Sequence, residues 1–189
     1  NETLMSLFIP NTYEFFWNTT PEKFMERMIK EHDGFWQKDN RLEKATAINL
    51  SPAEVYTLAS IVERETTQNT EKPRMAGVYL NRLEKGMLLQ ADPTSVFARR
   101  DFSARRVTDY HTKFDSPYNT YLYKGLPPGP ISMASISSID AVLNAEKHDY
   151  VYFCAKGDGS GLHNFAKTLA AHNQNASIYR RNLRKRGLR

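Results

Sequence analysis

The chain has 189 residues, of which 40% are hydrophobic, 25% charged and 12% aromatic, and its formal net charge is +5. This length supports one substantial core, and the wealth of apolar and aromatic side chains excludes an intrinsically disordered segment. The lone Cys154 excludes an intramolecular disulfide framework, and no run approaches the roughly 20 apolar residues of a membrane span or shows a signal-peptide pattern.

In chain order, Leu7–Phe15 reads as a strand followed by an aromatic turn. Thr20-Pro21-Glu22 then starts a helix, with a hydroxyl cap, proline at the first helical position and an acid in the first turn. That helix is expected over Pro21–Lys30, with Phe24, Met25 and Met28 on one side, and the polar run Phe35–Lys44 is also expected to be helical. Ser51-Pro52-Ala53-Glu54 repeats the start signal as a capping box, opening a helix to about Thr67. A further helix covers Lys72–Lys85 and stops at Gly86. Met87–Thr94 is expected to be extended, Phe97–Thr112 helix or loop, and Ser116–Pro130 a long turn-rich segment. Ser135–Ala145 reads as a helix, Tyr150–Ala155 and Leu162–Phe165 as strands joined by the turn Lys156–Gly161, and Ala166–Leu183 as the closing helix. Cys154 is expected as a small core residue of the first of these strands. The pattern predicts an α+β fold, a helix-rich single domain with a small antiparallel sheet and no repeats.

The most informative segment for chemistry is Leu58–Thr66. Val55, Leu58, Ala59 and Val62 form a helical apolar stripe, and its continuation reaches Glu65 and Thr66. Glu63 lies two positions earlier, about 200° round the helix from Glu65, so the two carboxylates point to different sides. Glu65 is aimed along the buried face. Desolvation there raises a carboxyl pKa, as a general acid near neutral pH requires. The plainer reading is a pair of surface glutamates matched by Arg64 and Lys72.

Other segments are less specific. Met75–Leu83 supplies core residues, and Asn81 and Arg82 are placed to hold a loop. Gln90, Asp92 and Thr94 alternate along the expected extended segment, so they share one side and either line a groove or face water. Tyr118, Asn119, Thr120 and Tyr121 precede the proline- and glycine-rich run Gly125–Ile131, a rigid loop of a kind that suits sugar binding: rings cover the apolar face of a sugar and amides pair with its hydroxyls. The alternative is an ordinary packed loop. The histidines show no paired metal spacing, the glycine-rich turn matches no phosphate-binding form, and Ser60 and Ser160 lack a nucleophile-elbow context. Arg180, Arg181, Arg184, Lys185, Arg186 and Arg189 concentrate the positive charge at the C-terminus. They form either a solvated helix end suited to the helix dipole or a contact for an anionic surface.

The strings LASIVERET, AGVYLNRLEKGMLLQADPT, YNTYLYKGLPPGPI and YVYFCAKGDGSGLHNF follow one another, with FIPNTYEF near the start. In that order they resemble the signature blocks of the MltG/YceG-like endolytic murein transglycosylases, from about Leu7 to the last helix. The resemblance implies that 1–189 is a catalytic domain with a glycan cleft. It also implies an upstream plasma-membrane anchor and LysM-like region, with this part on the periplasmic side. By the same resemblance the glutamate pair would hold the catalytic residue: Glu65 is assigned, with Glu63 its rival. Gln90, Asp92, Thr94, Tyr118, Asn119, Thr120 and Tyr121 would line the cleft. No metal or organic cofactor is implied. The expected partners are peptidoglycan strands and peptidoglycan synthases, and acidic residues spread through the body argue against nucleic acid. Asn11 stands where the family has Asp, and Ser132–Ser135 is atypical after the proline run.

The implied reaction breaks the β-1,4 bond between N-acetylmuramic acid and N-acetylglucosamine. Protonated Glu65 donates to the glycosidic oxygen, then accepts the proton of the muramic 6-hydroxyl as that oxygen closes on C1. Asp92 is a possible partner without an assigned role. The alternatives are a non-catalytic peptidoglycan-binding module, which needs no perturbed glutamate, and a nucleic-acid binder, which would release its ligand steeply with salt.

Overall fold

The computed structural model describes residues 2–104 and 106–188. Its architecture is helical, with one small sheet set against it. After a 3-10 helix at Leu4–Leu7, the segment 8–20 has no regular structure, so the strand expected over Leu7–Phe15 is not formed. Among the described residues the segment has no partner strand. Its backbone is instead held by side chains: the Phe8 carbonyl accepts from the Tyr56 hydroxyl at 2.9 Å and the Ile9 carbonyl from the Tyr13 hydroxyl at 2.6 Å.

Helix α1 spans Pro21–Gln37, longer than its start signal alone indicated, with Thr20 capping the Lys23 amide. Met28 is buried, Met25 half-buried, and Phe24 stays exposed against Phe15. The expected helix over Phe35–Lys44 is broken at Asp39 and Asn40, both in the left-handed region, where short polar side chains are tolerated. α2 then runs Arg41–Ala47. The buried Arg41 grips Asp140 at 2.9 and 3.2 Å and the Phe35 carbonyl at 3.2 Å, joining this corner to a helix almost a hundred residues away.

Helix α3, Pro52–Glu65, is the centre of the molecule. The predicted capping box is present at Ser51 and Glu54. Every residue from Val55 to Val62 is buried, because α4 (Lys72–Glu84), α5 (Asp92–Arg99) and α7 (Ile136–Leu143) all pack on it. Its apolar stripe therefore widens to the whole circumference. Even its polar positions serve packing: Ser60 donates to the Thr57 carbonyl at 2.7 Å and accepts from the Ile131 amide at 3.0 Å, clamping the proline-rich loop to α3.

Gly86 ends α4 at φ +61, the predicted left-handed stop. Beyond it the chain departs from expectation. Met87–Ala91 has no regular structure, and Asp92 opens α5 with Pro93 in its first turn. A short α6, Asp109–Thr112, lies within the segment left open as helix or loop. β1 (Tyr152–Ala155) and β2 (His163–Ala166) pair antiparallel, with Tyr152 opposite Ala166 and Ala155 opposite His163. Cys154 on β1 is half-buried rather than in the core, because α8 (Leu169–Lys185) covers the hairpin only in part.

Candidate active site

The C-terminal end of α3 presents two carboxylates to two different surroundings. Glu63 turns toward the start of α7. Its Oε2 accepts from the Lys72 ammonium at 3.1 Å, the Ser138 hydroxyl at 2.6 Å and, in a very short contact, the Ser135 hydroxyl. The Ser135 amide adds a longer contact at 3.3 Å. Burial alone would raise the Glu63 pKa, but the serine hydroxyls and the ammonium outweigh it and hold the group down to about 2. At neutral pH Glu63 is therefore an ionised acceptor held by its partners. The pairing with Lys72 considered from the sequence is present, and it belongs to Glu63.

Glu65 is the last residue of α3 and keeps part of its surface open, though protein crowds its carboxyl group. Among the described residues its one hydrogen-bonded partner is the Tyr79 hydroxyl, which donates to Oε1 at 2.7 Å from the buried face of α4. Burial pushes the Glu65 pKa up to about 7; the Tyr79 hydrogen bond opposes that rise, and the nearby charge of Asp92 adds to it. A carboxyl that titrates near neutrality can hold a proton and give it up under the same conditions. Tyr79 itself is driven well above the usual phenol range by burial and by the glutamate charge, so it stays a donor.

Asp92 faces this group from the first turn of α5, where it is exposed and accepts a very short hydrogen bond from the Tyr121 hydroxyl. Burial and the Asp92 carboxylate push the Tyr121 pKa up as well. Glu65, Tyr79, Asp92 and Tyr121 thus form one electrostatic cluster built from α3, α4, α5 and the loop after α6.

The remaining sequence candidates divide. Gln90 is exposed, with a left-handed backbone, and its Oε1 accepts from Arg82 at 3.2 Å. Thr94 lies fully inside, donating to the Ala91 carbonyl at 2.7 Å and paired with the Thr120 hydroxyl at 2.8 Å. Gln90, Asp92 and Thr94 therefore do not share one side: the proline of α5 turns the chain helical and carries Thr94 into the core. Asn119 is also fully buried. Its amide donates to the Phe114 and Thr112 carbonyls at 2.7 and 3.0 Å, and its oxygen accepts from the Tyr121 amide at 3.0 Å. Thr120 caps the Ala91 amide at 3.0 Å, and Tyr118 packs on Phe97. Thr94, Asn119 and Thr120 thus fix the loop that delivers Tyr121, and their polar groups are satisfied by protein.

Asp92 opens on two adjoining cavities. One, of about 500 Å³, lies between Arg64, Phe97, Phe102 and Ile131. The other, of about 890 Å³, lies between Arg106 and the face of α8 that carries Tyr179, Arg180 and Arg184. Glu65 is in the lining of neither, and Asp92 is the link between the cavities and the cluster. Among the described residues, no group of three or more His, Cys, Asp or Glu side chains is placed to hold a metal. Sequence reasoning missed Tyr79, read there only as core. The signal was available in principle, since a buried tyrosine hydroxyl needs a partner.

A family model described as the YceG-like family matches residues 1–178. An endolytic murein transglycosylase of Bacillus subtilis is 37% identical over 162 residues, covering 86% of this chain and 44% of that protein. One from Streptococcus pneumoniae is 34% identical over 152 residues, covering 77% of this chain and 27% of that protein. The crystal structure of a yceG-like protein from Listeria monocytogenes superposes with a TM-score of 0.77 at 38% identity, covering 89% of this chain and 54% of that one. The chain therefore spans less than half the length of these curated relatives.

Proposed function

Because the chain belongs to the YceG-like family, we propose that it is the catalytic part of an endolytic murein transglycosylase with Glu65 as its acid and base. The observation that carries this reading is the pairing of a carboxyl titrating at about 7 with a tyrosine that fixes one of its oxygens. With Oε1 held by Tyr79, Oε2 is left to face the glycosidic oxygen. Protonated Glu65 gives its proton to that oxygen as the bond to muramic C1 breaks. The muramic 6-hydroxyl then loses its proton to the Glu65 carboxylate while its oxygen bonds C1. The products are a 1,6-anhydro end and a free N-acetylglucosamine hydroxyl, and Glu65 is again protonated, with no water consumed.

A carboxyl that titrates near neutrality suits both proton transfers of this single-residue scheme. Asp92 acts on the acid through its charge. Gln90, Asp92, Tyr118 and Tyr121 would border the strand, over a floor set by Thr94, Asn119 and Thr120. The relatives extend well beyond the matched part, and on the family reading this part works outside the plasma membrane; among the described residues no helix is long and apolar enough to cross a membrane. Trimming strands there would bring it beside the synthases that extend them.

The test is mass spectrometry of glycan strands incubated with the chain and with Glu65→Gln. Internal 1,6-anhydro ends that disappear in Glu65→Gln are expected. Ordinary reducing ends would replace the ring closure with hydrolysis, and strands bound but uncut by the native chain would favour a binding module.

A further inference from the structure

The larger cavity beside Asp92 has a chemistry that glycan cleavage does not require. Arg106 reaches it from the loop before α6, and Arg180 and Arg184 reach it from α8. The helical residues are four apart and so project from one face, flanked by Tyr179 and Leu183. Among the described residues the one acid in the lining is Asp92, already engaged by the Tyr121 hydroxyl. Among the described residues, no carboxylate lies within ion-pair distance of Arg106, Arg180 or Arg184. Arg180 makes one intrahelical contact, to the Ser177 hydroxyl at 3.2 Å.

The orientation of this face is built in. The Asn182 amide donates to the Lys156 carbonyl at 2.7 Å, and Arg186 donates to the Gly157 carbonyl at 3.2 Å. Gly157 has φ +70, and a Cβ there would lie 2.7 Å from the Tyr179 ring, so only glycine lets α8 sit this close to the hairpin. The basic helix is therefore divided. Arg186 is tied to the hairpin turn, while Arg180 and Arg184 border a concave space that Asp92 links to the cluster around the proposed acid. A solvated helix end would need no such fixing.

We propose that Arg106, Arg180 and Arg184 form an anion-binding wall that takes the free carboxylates of the peptides carried by muramic residues of the strand. The inference rests on the reading of the chain as a murein transglycosylase and names the part of the polymer the cleft distinguishes. Guanidinium groups pair with carboxylates through two parallel hydrogen bonds, and a wall of them beside a glycan groove selects strands with free peptide carboxylates over strands whose peptide carboxylates are amidated. A flat anionic membrane is the weaker fit, because the charges line a cavity continuous with Asp92.

The experiment measures equilibrium binding of soluble strands to Glu65→Gln, so that cleavage does not intervene. It uses strands with free peptide carboxylates and the same peptide-bearing strands with those carboxylates converted to amides by a carbodiimide and ammonia. Strands with free carboxylates are expected to bind about tenfold more tightly at low salt, the advantage shrinking as salt rises. Adding Arg184→Gln should reduce that advantage about threefold, as befits an exposed pair, and adding Arg106→Gln and Arg180→Gln should abolish it. All three arginines are exposed, so thermal unfolding should not move. Equal affinity for the two strands overturns the inference, as does an advantage that survives the triple substitution. So does a triple variant that loses binding to phosphatidylglycerol vesicles while keeping the preference. Cleavage of both strands by the native chain with no preference would leave the transglycosylase reading standing and sink only the wall. Absence of cleavage would strike the reading itself, while the binding comparison would still be decided.

Discussion

Glu63 and Glu65 sit two residues apart on one helix, and the fold treats them in opposite ways. Glu63 meets an ammonium and two hydroxyls and is held ionised down to about 2. Glu65 meets one phenol, a crowded surround and another carboxylate, and is pushed up to about 7. The separation arises from helical geometry. A step of about 200° turns one side chain toward the hydroxyl-rich start of α7 and the other toward the apolar face of α4. Identical side chains thereby become a structural anchor and a proton carrier, divided by the partners that neighbouring helices bring.

The largest effect that could break this comparison is on activity. Glu65→Gln keeps the shape and the Tyr79 contact but cannot carry a proton. Strand cleavage is expected to fall by about 10²- to 10⁴-fold, measured as anhydro ends released per unit time. Retention of most activity would remove Glu65 from the reaction. The same variant has a stability signature. Because the folded-state pKa, about 7, lies above the ordinary 4.5, the folded chain binds the extra proton between those values, and stability falls as pH rises through that window. Glu65→Gln should flatten the fall and be more stable than the native chain above pH 7 by about 1–3 kcal/mol, read by chemical denaturation.

Glu63→Gln should do the reverse. It removes the counter-charge of Lys72, whose side chain is only 4% exposed, and an unpaired buried ammonium is costly. A loss of about 2 kcal/mol at neutral pH is expected, discounted because Glu63 keeps some access to solvent. The linkage sign is opposite to that of Glu65. The contribution of Glu63 is complete above the ordinary 4.5 and disappears as pH falls toward about 2, so native and variant chains should converge in acid. Cleavage per folded molecule should change by less than about threefold. A loss like that of Glu65→Gln would exchange the two roles.

Much of this division was legible in the sequence. The capping box at Ser51 and Glu54 fixed where α3 begins, and the apolar stripe through Val62 fixed which way Glu65 points. The hairpin and the stop at Gly86 were local signals and appear where expected. What was not legible was long-range or a matter of competition. The alternation of Gln90, Asp92 and Thr94 is equally compatible with a strand and with a helix opened by Pro93, and burial of Thr94 against Thr120 decides for the helix. Asn119 has the residue type of a sugar-binding amide, yet the carbonyls of His111, Thr112 and Phe114, in α6 and just after it, use its donors. Ser135 and Ser138 lie seventy-odd residues from Glu63, and no local pattern announces that they converge on it.

The finest test tunes Glu65 from both sides without touching it. Tyr79 and Asp92 act on its proton with opposite sign: the phenol stabilises the carboxylate, and the aspartate charge destabilises it. Tyr79→Phe should therefore raise the alkaline limb of the pH–rate profile, while Asp92→Asn should lower it. Each shift should be of the order of half a unit to one unit, the scale of a single hydrogen bond or an exposed charge. Tyr79→Phe should also lose several-fold in rate at the optimum, because Oε1 is no longer held, and about 1 kcal/mol of stability. A merely packing role for Tyr79 would lower stability and leave the limb unmoved. Movement of both limbs in the same direction would mean that Asp92 reaches Glu65 through Tyr121 and the loop rather than through its charge. The double variant separates these cases: independent charge effects should cancel in the position of the limb, whereas a shared loop movement would leave the two shifts non-additive.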